Sequence, residues 1–184
     1  MRKIIYHVAT SLDNFICHPD GSIDGFVAEG DHVADYQAHL QQYDTVIMGR
    51  STYTFGYRFG LPPGARAYPH MRHLIFSQSL TLPGSEVEVV ATDPLPVVER
   101  LKAGDGTPIY LCGGGTFAGY LLQHQLIDEL VVKLNPFLMG KGVRLFETQP
   151  RPLKLAMVDS KTYHSGVMLL HYRVQYEAEI RDKW

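Results

Sequence analysis

The stretch Ile109-Tyr110-Leu111-Cys112-Gly113-Gly114-Gly115-Thr116-Phe117-Ala118 decides the fold. Four apolar residues run without alternation, as a strand covered on both faces requires, and such strands belong to parallel sheets flanked by helices. Downstream, Phe117, Ala118, Leu121, Leu122 and Leu126 recur at helical intervals, so a helix beginning near Thr116 follows the strand almost at once. Three consecutive glycines cost backbone entropy, and close approach of a ligand is a stronger motive for them than a plain turn. Gly113-x-Gly115-x-x-Ala118 also satisfies the loose dinucleotide fingerprint. A standard Rossmann domain carries that motif near the start of two βαβαβ halves, whereas here it lies late in the chain and the remainder ends in a hairpin. The expectation is a pyrophosphate cradle in a different kind of α/β sheet.

Working outward, residues 4–9, 45–48, 73–76 and 86–90 read as further buried strands. Between them Val33, Tyr36, Leu40 and Tyr43 give 31–43 the spacing of a helix. Asp93-Pro94 supplies an N-cap and a first-turn proline, followed by Leu95, Val98 and Leu101 on one face and a stop at Gly104. Later, 130–134 is a strand ended by Asn135-Pro136. Residues 153–163 and 167–176 face each other across His164-Ser165-Gly166 with a period of two, which is a hairpin. The reading is a three-layer α-β-α sandwich: a mixed, mostly parallel sheet closed by a C-terminal antiparallel hairpin, with helices on both faces. Gly60-Leu61-Pro62-Pro63-Gly64 reads as a surface loop inside it, and residues 1–184 as a single domain.

Composition excludes several classes. With 17 Lys+Arg against 19 Asp+Glu, the 184 residues carry a net charge of −2, without the basic footprint of a nucleic-acid binder. Cys17 and Cys112 fit neither a disulfide framework nor a zinc or CxxC pattern. No leader and no apolar run of membrane-spanning length is legible, so a cytoplasmic protein without membrane or nucleic-acid partners is expected. His70-x-x-His73 lacks companion ligands, and no metal site is expected.

The polar punctuation lies at strand ends, where α/β sheets collect ligands. Val46-Ile47-Met48-Gly49-Arg50-Ser51-Thr52 offers close approach at Gly49, a cation at Arg50, and Ser51 or Thr52 as cap of a helix around 52–55. A solvated arginine on an ordinary turn is the plainer alternative. Phe76-Ser77-Gln78-Ser79 sets hydroxyls past another strand, suited to a phosphate or ribose or simply to the turn. With Gly113 to Thr116 they describe an anion site for a nucleotide with several phosphates.

These three motifs resemble the cofactor motifs of the dihydrofolate reductase fold. Gly113-Gly114-Gly115-Thr116-Phe117-Ala118-Gly119, Leu126-Ile127-Asp128-Glu129-Leu130, Pro136-Phe137-Leu138-Met139-Gly140-Lys141-Gly142 and the opening Ser11-Leu12-Asp13 resemble more closely the reductase domain of riboflavin biosynthesis. The resemblance spans about residues 2–176. It implies an NADPH-dependent reductase of a small heterocycle, a pterin or a 5-amino-6-(5-phosphoribosylamino)uracil-like compound, working as a homodimer. On the matching positions, Gly49, Arg50, Ser51 and Thr52 would hold the adenosine end of NADPH, with Arg50 and Ser77 nearest the 2′-phosphate. Gly113, Gly114, Gly115 and Thr116 would meet the pyrophosphate, and Ala9 the nicotinamide. The folate enzyme's substrate carboxylate position falls on Val33, flanked by Asp31 and Asp35, and Asn14 stands where the riboflavin branch shows glycine.

Hydride transfer needs the two reactants face to face in a dry pocket with a proton source nearby. Asp13, just past the first strand, is the first candidate acid, with capping of its own turn as the alternative. Asp31 and Asp35 are second choices for that acid and candidates for substrate binding, or serve the helix dipole. Lys141 is read either as a contact to substrate phosphate or as a solvated loop lysine. A nucleotide-binding protein with this fold and no turnover is the rival reading.

Overall fold

The computed structural model describes residues 1–148 and 152–176. The apolar runs pair into one eight-stranded sheet. Its strands in chain order are β1 (Ile4–Thr10), β3 (Thr45–Gly49), β4 (Arg72–Phe76), β5 (Glu88–Val90), β6 (Ile109–Gly113), β7 (Glu129–Leu134), β9 (Lys154–Thr162) and β10 (Met168–Gln175). A separate two-stranded sheet joins β2 (Phe15–Cys17) to β8 (Val143–Arg144). The helices are α1 (Asp31–Leu40), α2 (Arg50–Phe55), α3 (Pro94–Ala103) and α4 (Gly115–Gln123).

Across the main sheet the order is β5-β4-β3-β6-β1-β7-β10-β9. The six strands from β5 to β7 run parallel, and β10 pairs antiparallel with both β7 and β9. Because successive side chains leave a strand on opposite faces, the uninterrupted apolar runs feed two cores. Tyr6, Ile47 and Leu111 meet Val98 of α3 and Leu121 of α4 on one face. Val46, Met48, Ile75 and Tyr110 meet Leu40 of α1 and Tyr53 of α2 on the other. The sheet is therefore the middle of three layers.

Local signals that needed no partner are realised. The Asp93 side chain accepts from the Leu95 N–H, with Pro94 in the first turn and Gly104 as C-cap. Several boundaries move. The helix at 31–43 stops at Leu40; Tyr43 follows in a turn, stays buried and stacks on Tyr110 at 5.3 Å. The strand at 86–90 starts at Glu88, the first of its residues to pair with β4, opposite Leu74. The helix after β3 begins at Arg50, with Gly49 as its N-cap and no side-chain cap, so neither Ser51 nor Thr52 caps it.

The amino-terminal edge of the sheet is held by ion pairs. Arg2 pairs with Asp44, Lys102 with Asp128, and Lys3 Nζ with Glu129 Oε1 at 2.6 Å. The opposite edge, where all six parallel strands end, holds the residues singled out above.

Candidate active site

At the end of β3 the exposed Arg50 donates from Nη1 to Ser79 Oγ at 2.8 Å. Among the described residues Ser77 makes no hydrogen bond to it. Ser77 Oγ accepts from the N–H groups of Ser79 (3.3 Å) and Leu80 (3.0 Å), and so shapes the turn that presents Ser79. Ser51 is exposed on the first turn of α2. Thr52 packs inward, its Oγ1 only 3.2 Å from where a Cβ on Gly114 would stand. The turns after β3 and β6 therefore touch.

The glycines of this edge have different reasons. Gly113 has φ of +132°, a conformation side chains rarely adopt, and its peptide bond to Gly114 is cis. A Cβ on Gly115 would lie 2.1 Å from the carbonyl oxygen of Arg144, so packing alone demands glycine there. Gly49 is the opposite case. Its backbone is ordinary, and a Cβ would meet only Phe117 Cβ at 3.7 Å, so the chain itself leaves room for a side chain. Gly114 caps α4 with no side-chain hydrogen bond, which leaves first-turn N–H groups, with the exposed Thr116, at this edge.

At the ends of β1 and β7 the polar groups are more tightly arranged. Asp13 Oδ1 accepts from the Met139 N–H (2.9 Å) and the Ser11 hydroxyl (2.6 Å), and Oδ2 from the Gly140 N–H (2.7 Å). The Met139 N–H, then Ser11 and Gly140, hold its carboxyl down to about 2. Such a group is an ionised acceptor at neutral pH. Lys141 is exposed in the same loop.

Asp35, on α1, accepts on Oδ2 from both Lys161 Nζ and Tyr163 Oη, each at 2.5 Å. Lys161 first, and Tyr163 with it, hold this carboxyl below its usual range. Asp31 opens α1 and lines a shallow depression with Lys161, Tyr163 and His164. A larger open depression beside Pro63, Gly64 and Leu82 contains none of these residues. Ala9 pairs in register with Lys133 of β7. Lys133 Nζ donates to the Val27 carbonyl (2.5 Å), while Asn135 Oδ1 accepts from the Val27 N–H (3.0 Å) and ties the same loop to the end of β7.

Sequence reasoning therefore placed Arg50, Ser77 and the glycine loop on one edge and passed over Ser79, Lys133, Lys161 and Tyr163. Ser79 stood inside a quoted motif. Lys133 carried a signal as well, a lone charge in the apolar strand Leu130-Val131-Val132-Lys133-Leu134.

Comparison with known proteins agrees with this architecture. The model of the RibD C-terminal domain family matches residues 2–169. The uncharacterized protein YwjB of Bacillus subtilis is 31% identical over 175 residues, covering 93% of this chain and 97% of YwjB. A putative riboflavin biosynthesis protein from Shewanella superposes with a TM-score of 0.78 at 24% identity, covering 96% of this chain and all of that one. A diaminohydroxyphosphoribosylaminopyrimidine deaminase/5-amino-6-(5-phosphoribosylamino)uracil reductase from Thermotoga maritima gives a TM-score of 0.66 at 15% identity, covering 95% of this chain and 57% of that one.

Proposed function

The chain belongs to the RibD C-terminal domain family, and from that membership we propose that it is an NADPH-dependent reductase of a small heterocyclic substrate. The substrate class is a pterin or a compound like 5-amino-6-(5-phosphoribosylamino)uracil. One observation carries the cofactor reading: an exposed guanidinium held by Ser79 stands beside Gly49, a glycine that neither backbone strain nor packing requires. A donor set of arginine, serine hydroxyls and bare helix N–H groups suits a dinucleotide carrying an extra phosphate. Arg50 with Ser77 and Ser79 would take the 2′-phosphate, Ser51 and Thr52 the rest of the adenosine end, and Gly113 to Thr116 the diphosphate. Ala9, small and half-buried at the end of β1, would let the nicotinamide lie flat against the sheet.

NADPH, when bound, supplies the hydride. The chain's own part is to orient and to exclude water. Asp35 has one oxygen occupied by Lys161 and Tyr163 and is kept ionised, so its other oxygen is the acceptor for a ring N–H of the substrate. Asp31 lies one helical turn earlier, on the side where the substrate would enter. Asp13 is a positioning residue, fixing the loop of Met139 and Gly140 over the same edge. A cytoplasmic location and a homodimer belong to the same proposal, the dimer supported by the exposed apolar side chains of the edge strand β9.

The test is a fluorescence titration of wild type and Arg50→Ala with NADPH and NADH. Losing charge-assisted hydrogen bonds of about 1.5–3 kcal/mol should weaken NADPH binding roughly tenfold or more, and NADH little. Wild-type protein that binds NADPH no tighter than NADH would sink the cofactor reading. Where NADPH binds, its oxidation with pterins and aminouracil ribose phosphates as probes separates an enzyme from a binder. Absence of oxidation with every probe would support a nucleotide-binding protein with this fold and no turnover.

A further inference from the structure

Strand register brings together residues that sequence keeps far apart. Lys161 of β9 pairs with Leu169 of β10, Leu169 with Lys133 of β7, and Lys133 with Ala9 of β1. Directly paired residues project from the same face of a sheet. Val131, two positions before Lys133, belongs to the core beneath α1, so this row faces α1 as well. Two lysines thus stand about 10 Å apart, two strand spacings, at the carboxyl edge.

Their charges are treated differently. Lys161 is met by Asp35. Lys133 meets no carboxylate among the described residues, and its one hydrogen bond goes to the Val27 carbonyl. That carbonyl also lies 3.1 Å from His32 Nε2, and the Val27 N–H is separately held by Asn135, so the loop has anchors besides the lysine. Lys102, which is buried, pairs with Asp128 at the far edge, where structure alone needs it. A half-buried ammonium with donors to spare, next to Ala9, has no structural need of its charge.

We propose that Lys133 is a catalytic residue, donating first a hydrogen bond and then a proton to the nitrogen or oxygen beside the carbon that is reduced. This rests on the NADPH reading above. As the hydride from NADPH forms a C–H bond, the C=N or C=O π bond breaks and its electron pair moves to the heteroatom. That atom takes a proton from the Lys133 ammonium, which solvent then reprotonates. The two electrons would come from bound NADPH, so the substrate would end reduced and the dinucleotide oxidised. Burial lowers the lysine's pKa, which brings the ammonium closer to the strength a proton donor needs. The other titratable groups near this row are His32 and Asp35 on α1, His7 on β1, His171 on β10, and Lys161 and Tyr163 on the hairpin.

Lys133→Met and Lys133→Arg test the assignment with NADPH and 5-amino-6-(5-phosphoribosylamino)uracil as probes. In Lys133→Met, kcat falls about 10²- to 10⁴-fold and the alkaline limb of its pH profile disappears, while NADPH binding stays at the wild-type value. Lys133→Arg recovers probe binding but not the rate, since a guanidinium does not give up its proton. A loop anchor alone would lower Tm without moving the alkaline limb, and an unchanged kcat and pH profile in Lys133→Met overturns the assignment. Wild type that fails to oxidise NADPH with this probe points to the substrate or cofactor reading, and Lys133 is then judged by its own titration. After ¹³C reductive methylation, the resonance missing from Lys133→Met should titrate below the exposed lysines and shift on adding the probe. A resonance that titrates with the bulk and ignores the probe refutes the role.

Discussion

Asp13 is an acceptor for three hydrogen bonds in a loop that ties the end of β1 to residues far along the chain. Its carboxyl moves from 3.8 to about 2 on folding, so the ionised form is the one the fold stabilises. A depressed carboxyl contributes fully above its unfolded pKa and ceases to contribute as pH drops through the folded one. Urea denaturation between about pH 5 and pH 2 should therefore show stability falling over that interval in wild type, and a flatter profile in Asp13→Asn. Equal slopes would mean that the loop does not depend on the charge. Next to it, Asn14 sits at φ +72°, in the left-handed region. Asparagine is among the few residues that enter this region readily.

Among the elements, α4 and its glycine entry separate packing from binding. Gly115→Ala would drive a methyl group into the Arg144 carbonyl, displacing β8 or the start of the helix. A cost of about 1–3 kcal/mol is expected, seen as a lower Tm together with weakened NADPH binding. Gly49→Ala meets nothing closer than ordinary contact and should leave Tm unchanged. Its methyl group would nevertheless occupy the space assigned to the cofactor and weaken NADPH binding. If Gly49→Ala binds NADPH as wild type does, the ligand lies elsewhere. The α3 boundaries were legible because Asp93, Pro94 and Gly104 act within one turn. The start of α2 was not, because Gly49 supplies the cap through its backbone and leaves no side-chain signature.

At the scale of the whole molecule, β9 is an edge strand that shows Leu155, Met157 and Val158 at 43%, 53% and 45% exposure. A long edge with unpaired backbone groups and apolar side chains invites another strand. The homodimer proposed above would cover it with a second copy of the chain. Light scattering after size exclusion should report a dimer for wild type and a monomer for Leu155→Lys/Met157→Lys, while a wild-type monomer would remove the dimer. What the sequence determined by itself was local: strands from apolar runs, helices from their spacing, α3 from its caps, and the glycine entry to α4. From these followed the mostly parallel α/β sheet and the edge at which its polar strand ends gather. Only the tertiary structure decided the partners. Asp13 meets Met139 across 126 positions, Asp35 meets Tyr163 across 128, Arg50 takes Ser79 instead of Ser77, and register alone sets Lys133 beside Ala9. The physical reason is one of range: capping and periodicity act within a few residues, whereas hydrogen bonding between side chains waits on strand order and register.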